Sequence, residues 1–148
     1  MRPTLFALLV ALGLGWSHGA SAAGEPPGWI QSPVEIAALV EGRTHHRDRA
    51  DGTSESEFHS RDGRVAYLFD GCTVAGRWWL EENVLCYAYP SVTGEMKHCF
   101  WLRQTRGQLE YWSTSEPQAS SPTAVTIDNL SGNPDNLALG ADGPCDAI

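Results

Sequence analysis

Between residues 42 and 114 the chain falls into seven short segments rich in aromatic or β-branched side chains, with turn-forming residues at the junctions. The segments are 42–47, 55–60, 64–69, 73–80, 84–89, 97–103 and 108–114. The separators are Asp51-Gly52, Asp62-Gly63, Asp70-Gly71, Glu81-Glu82-Asn83, residues 91–94 and Arg106-Gly107. No helical pattern lies between them to act as a crossover, so the strands are expected to run antiparallel in sequence order. Alternation agrees: Val65, Tyr67 and Phe69 share one face, as do Val74, Trp78 and Leu80. The expected fold is mainly β, an antiparallel meander that is either an open sheet or a small barrel. One short helix precedes it. Ser32-Pro33-Val34-Glu35 supplies a hydroxyl N-cap, a proline at the first helical position and a glutamate at N3, and Gly42 is placed to end the helix. At about nine residues this helix must pack against the sheet to persist.

The same register argument predicts a covalent link. A turn centred on Val92-Thr93 sets Cys86 opposite Cys99 on one face, at bridging distance. Closing so short a loop stabilises the fold by about 3 kcal/mol in the chain-entropy treatment. By subtraction Cys72 pairs with Cys145, tying the tail back to the sheet. The four cysteines contain no C-x-x-C, so a zinc ribbon and a thioredoxin-like motif both lack their minimum signature.

Disulfides require an oxidising compartment, and the N-terminus agrees with one. Arg2, an apolar run from Leu5 to Leu14 and the small-x-small sequence Ala20-Ser21-Ala22 read as a cleavable export signal over residues 1–22. The run is too short for a membrane span, which needs roughly 20 residues. A mobile leader is expected over 23–31. A single disulfide-stapled β-rich domain follows over 32–148, with a mostly irregular tail from about 116 and one further strand at 123–127. The expected location is periplasmic or secreted. Cleavage would remove one basic residue, leaving nine basic against 18 acidic side chains, a balance that disfavours binding to nucleic-acid phosphates.

Candidate chemistry is sparse. Adjacent strand residues point to opposite faces, so His45 and His46 cannot share an ion without a bulge. With His59 and His98 they are expected to be surface or turn histidines, and no metal or cofactor is expected. Glu81 and Glu82 diverge at a hairpin tip, unlike two carboxyls facing each other across a glycosidase cleft. Cys99 beside His98 points away from it, and no G-x-S-x-G elbow occurs, so no catalytic residue is assigned. The aromatic side chains Trp78, Trp79, Trp101, Tyr87 and Tyr89 are the candidates for holding a ligand or partner. Trp78 and Trp79 must face opposite ways, so one is placed to enter the core and the other to meet a partner or a sugar ring.

Gly76-Arg77-Trp78, then Leu85-Cys86-Tyr87, then Cys99-Phe100-Trp101, preceded by the Asp62-Gly63 turn, together resemble small exported proteobacterial proteins of unknown function with a helix, a D-G hairpin, G-x-W and L-C…C. The likeness spans roughly Ile36 to Trp112. It implies a periplasmic β domain and carries over no catalytic residue. The function expected is a non-catalytic binding or interaction module of the cell envelope, for an unknown protein or a small apolar or sugar ligand. The alternative is a small envelope hydrolase drawing acid–base groups from His45, His59, Glu81 and Glu82.

Overall fold

The computed structural model describes residues 28–140; the export signal, residues 23–27 of the leader and Cys145, with its expected bridge to Cys72, lie outside the described residues. A helix, α1 (Pro33–Val40), is followed by β1 (Arg43–Arg49), β2 (Ser54–His59), β3 (Arg64–Phe69), β4 (Cys72–Glu81), β5 (Val84–Ser91), β6 (Gly94–Thr105), β7 (Gln108–Ser113) and β8 (Ala124–Ser131). Each strand pairs antiparallel with the next, and β8 returns to β1, so the meander closes into an eight-stranded barrel.

Local chemistry explains the elements. The Ser32 side chain accepts a hydrogen bond from the Glu35 backbone N–H, and Pro33 opens the helix, as the capping sequence requires. Asp70-Gly71 and Arg106-Gly107 have positive φ at both positions, the type I′ geometry whose twist suits a two-residue hairpin. Cys86 stands opposite Cys99 in the β5–β6 ladder, their Cα atoms 4.1 Å apart, and the two are joined as a disulfide. The G-x-W sequence has a packing reason. A Cβ on Gly76 would lie 2.4 Å from the Ala88 carbonyl oxygen and 2.6 Å from Tyr89 Cδ1, so only glycine lets the Tyr89 ring lie across β4. Two residues on, Trp78 enters the core and donates its indole N–H to the Ser60 carbonyl at 2.8 Å.

Closure comes from the tail. β8 is longer than the strand expected at 123–127, and it pairs with β1 over that strand's whole length, with a register shift between His46 and Arg47. Its ladder with β7 is only two residue pairs long. The buried Thr126 hydroxyl extends that seam, accepting from Leu109 N–H at 2.7 Å and donating to the Leu109 carbonyl at 3.0 Å. Residues 28–30, placed in the mobile leader by sequence, instead occupy the edge of β6 beyond its pairing with β5. There Gln104 N–H donates to the Gly28 carbonyl and Ile30 N–H to the Leu102 carbonyl.

The two ends of the barrel differ. Strand starts and ends alternate around an antiparallel barrel, so α1, which leads into β1, sits at the end formed by Val65, Leu85, Leu102 and Leu109. Ile36 and Val40 of α1 and the residues Val65, Leu85 and Leu102 are wholly buried in one apolar cluster that plugs this end. The other end is rimmed by the ends of β1, β3, β5 and β7 and the starts of β2, β4, β6 and β8.

Outside the β1–β2 hairpin, the segment after β8 is pinned by Asp135, which accepts from His46 Nε2 at 2.6 Å and from the Ser56 hydroxyl. Asp128 lies 3.6 Å from the same imidazole. Partial burial disfavours the His46 charge, but the bond to Asp135 outweighs it and raises the pKa above 6.5. Ser56 and His46 lower that of Asp135 below 3.8. The His46 contribution is therefore complete below its unfolded pKa and is lost as pH rises through the raised folded value. The Asp135 contribution is complete above its unfolded pKa and is lost as pH falls through the lowered one. Docking should be tightest between about pH 3.8 and 6.5. Amide exchange at Leu137, whose N–H donates to Asn133 Oδ1, should be slowest in that window once corrected for intrinsic rate. A profile unchanged by His46→Gln would contradict the assignment.

Candidate functional site

The inward positions of β1 and β2 are charged or polar where a barrel interior is usually apolar. His45, Arg47 and Arg49 project from β1, and Glu55, Glu57 and His59 from β2. The ladder sets Arg47 opposite Glu55 and His45 opposite Glu57. The guanidinium of Arg47 lies between two carboxylates: its Nε is 2.8 Å from Glu55 Oε1 and its Nη2 is 2.7 Å from Glu57 Oε2, with all three side chains 5% exposed or less. These are charge contacts; neither Arg47 Nε nor Glu57 Oε2 makes an aligned hydrogen bond. Nearer the rim, Arg49 reaches Glu55 Oε2 at 3.1 Å.

Tyrosines complete the arrangement. The Tyr67 hydroxyl donates to Glu55 Oε2 at 2.6 Å, and that of Tyr89 donates to Glu57. Tyr87 meets His59 Nε2 at 2.8 Å, and Tyr111 meets His45 Nδ1. His45 Nε2 faces the Leu39 carbonyl at 2.9 Å and so carries the ring hydrogen, leaving Nδ1 to accept from Tyr111. The two imidazoles lie 4.8 Å apart, centre to centre.

The electrostatics follow from burial opposed by pairing. Burial disfavours the Arg47 charge, but Glu57 and Glu55 outweigh it and hold the guanidinium well above its usual pKa. Burial likewise pushes Glu57 up, yet Arg47, His59 and Tyr89 bring it down to about 2. Burial, reinforced by His59, drives His45 well below 6.5, so it is neutral. Burial followed by the Glu57 charge raises Tyr87 and Tyr89, which keep their protons.

Above this floor is a cavity of about 320 Å³ at the open end. Tyr67, Tyr87, Tyr89, Phe100 and Tyr111 wall it, Arg47 and Glu57 lie at its base, and His98, Ser113, Ser115 and Thr123 stand near the rim. Neighbouring rings are in contact: Tyr87 and Tyr89 are stacked, and Phe100 meets Tyr87 and Tyr111 edge-on. The rings hold one another in place around the open space.

The sequence candidates divide among three places. Tyr87 and Tyr89 line the cavity. Trp78 is inward but not among the cavity-lining residues, with its indole N–H spent on Ser60. Trp79 and Trp101 lie on the outer surface. Trp79 is covered by Arg77 and Lys97, at 4.8 and 5.3 Å from the ring centre. Trp101 borders a surface cleft with Trp29 and Trp112, whose rings are both covered by Arg103.

The histidine expectation is corrected in part. His45 and His59 are wholly buried, because each has a tyrosine hydroxyl and a backbone carbonyl inside the barrel. His46 lies outside and His98 at the rim. The four acid–base groups of the hydrolase reading do not share a cleft: Glu81 bonds Lys97 on the outer surface, and Glu82 sits in the adjoining turn. Glu81 also lies near Cys86 and Cys99, but both sulfurs are spent in the disulfide and cannot hold a metal.

Arg47, Arg49, Glu55, Glu57, Tyr67 and Tyr111 were not singled out from sequence. Alternation gave a partial signal, since Arg47 and Arg49 share one face of β1 and Glu55 and Glu57 share one face of β2. The turn residues did not give their register: a hairpin centred on Asp51-Gly52 sets Arg47 against Ser56, whereas the ladder centres on Asp51 and sets it against Glu55. Glu57→Gln should destabilise the protein by about 3 kcal/mol, the lower end for breaking a buried ion pair, since Glu55 still faces Arg47. Glu81→Gln, at a solvent-exposed pair, should leave the stability almost unchanged. Urea denaturation of both variants tests this, and a smaller loss at position 57 than at 81 would contradict it.

No protein-family model matches the chain, nor does any curated protein or solved structure, so the chemistry of the site rests on its own geometry.

Proposed function

We propose that this protein is a small-molecule-binding barrel of an extracytoplasmic compartment, and that the tyrosine-walled cavity at its open end is the ligand site. The observation that carries the reading is the floor. A buried ion pair costs several kcal/mol of desolvation per ion, and well-packed apolar side chains in its place commonly leave a protein as stable or more so. An interior selected for stability alone gains nothing from Arg47 and its two carboxylates. A binding site does gain, because polar groups at the base of an apolar pocket fix a ligand's orientation. The volume fits, falling near the lower end of the roughly 300–1,000 Å³ spanned by such pockets, and eight strands enclose room for one small ligand.

The outer indoles are less suited. Cations already cover Trp79, Trp29 and Trp112, so a sugar ring would have to displace a favourable contact before stacking. The Cys86–Cys99 bridge, and the absence among the described residues of a helix long and apolar enough to cross a membrane, are consistent with an exported, non-anchored protein.

The test uses the neutral fluorophore N-phenyl-1-naphthylamine. Its emission should rise on adding the protein. Ser113→Trp, which fills the half-buried rim, should abolish the rise, while Trp79→Ala should leave it unchanged. Loss of binding in Trp79→Ala, with Ser113→Trp unaffected, would move the site to the outer surface.

A further inference from the structure

The cavity's polar groups restrict what it can hold, and this narrower reading rests on the assignment of the cavity as the ligand site. All four tyrosine hydroxyls are already engaged by the protein: Tyr67 and Tyr89 with Glu55 and Glu57, Tyr87 and Tyr111 with His59 and His45. The tyrosines therefore offer a ligand their rings rather than their hydroxyls. Packed ring faces and edges favour a flat, unsaturated guest over a branched aliphatic one.

Charge narrows the class further. In the floor Arg47 and Arg49 are matched by Glu55 and Glu57, two against two, in direct contact, while the further carboxylate on the lining, Glu116, is exposed to solvent. A carboxylate or phosphate guest would add an unmatched negative charge beside the buried glutamates. An ammonium would add an unmatched positive charge beside the buried arginines. Either would be desolvated without a counter-charge to spare, so a neutral guest is favoured.

In the cavity floor, capacity for hydrogen bonding remains at one place. Arg47 Nε and Glu57 Oε2 belong to cavity-lining residues, are linked through the Nη2 of the same guanidinium, which lies 2.7 Å from Glu57 Oε2, and are the two buried side-chain atoms without a hydrogen bond among the described residues. One is a donor and the other an acceptor. A modest turn of either side chain toward a guest gives up no aligned bond through that atom. Their complement is a group with an acceptor and a donor in adjacent positions, which is the edge of a cyclic amide.

We infer that the ligand is a flat, uncharged heteroaromatic ring system, one or two fused rings in size, whose lactam or ureide edge is read by Arg47 and Glu57 while its faces lie against the tyrosines. The carbonyl oxygen accepts from Arg47, and the ring N–H donates to Glu57. No bond is made or broken.

Calorimetric titration of the disulfide-intact protein with three probes tests this. They are 2-quinolone, a neutral bicyclic lactam; quinoline, the same bicycle without the amide; and 2-naphthoate, its charged counterpart. The quinolone should bind at least about tenfold more tightly than quinoline, the order of discrimination expected when buried polar groups are satisfied by one guest and not the other, and the naphthoate should bind weakest. The paired variant Arg47→Met with Glu57→Leu should bind quinolone and quinoline equally. Should that variant not fold, the Arg47 Nε resonance of the unaltered protein supplies the second reading: it should move with quinolone and stay fixed with quinoline. Equal affinity for the two bicycles, or tighter binding of naphthoate, would overturn the lactam inference while leaving the cavity as the site. Binding of none of the three would overturn the lactam inference, and it would count against the cavity only if the neutral fluorophore also failed.

Discussion

A guanidinium held between two carboxylates inside a closed barrel dictates much of the surrounding architecture. Arg47, Glu55 and Glu57 can remain charged there only because each has an opposite charge within 3 Å. That requirement fixes the β1–β2 register, since a slip of one residue between the strands would put Arg47 on one face and both glutamates on the other. It also recruits the tyrosines: the hydroxyls of Tyr67 and Tyr89 supply remaining hydrogen bonds to the carboxylates, which sets both rings upright along the wall. Behind them, His59 and His45 hold Tyr87 and Tyr111. A wall of rings anchored by their hydroxyls cannot readily collapse inward, so an open cavity persists where an apolar core would close.

Everything else keeps that interior closed from the other directions. The α1 plug seals one end with Ile36 and Val40, and its Leu39 carbonyl fixes the His45 tautomer, so the plug and the polar network are coupled. The seam between β7 and β8 is the barrel's shortest ladder, and the Thr126 hydroxyl supplements it. Gly76 permits the close crossing of β4 and β5 on which the position of Tyr89 depends. The Cys86–Cys99 bridge lies on the outward side of the sheet opposite Trp79, with Cys86 covered from solvent, and ties β5 to β6 without entering the cavity.

Much of this was legible in the sequence, wherever the determinant is local. The Ser32 cap, the Asp-Gly turns and the cysteine register each depend on a few neighbouring residues, and each appears in the fold. Closure was not legible, because it depends on a β8–β1 pairing some 80 residues apart and on a tail whose Ser, Pro and Asn content resembles a loop. The docking of residues 28–30 escaped for the same reason, since the Pro- and Gly-bearing leader pairs with an edge 74 residues later. The ligand candidates divided because aromaticity alone cannot say which face of a strand looks inward. Tyr87 and Tyr89 line the cavity, whereas Trp79 and Trp101 face outward. The charged floor was overlooked because charged positions in a strand are ordinarily solvent-facing; only their register against one another shows that they neutralise each other inside.

The account stands on Glu57 being ionised in the barrel interior beside Arg47, and the most direct measurement is a carbon-13 NMR titration of its side-chain carboxyl in the folded protein. Its midpoint should fall near pH 2, well below the ordinary glutamate value of 4.5, with the group still fully charged at pH 4. A midpoint at or above 4.5 would mean that the carboxyl is not held by the guanidinium, and the charged floor would not exist as described.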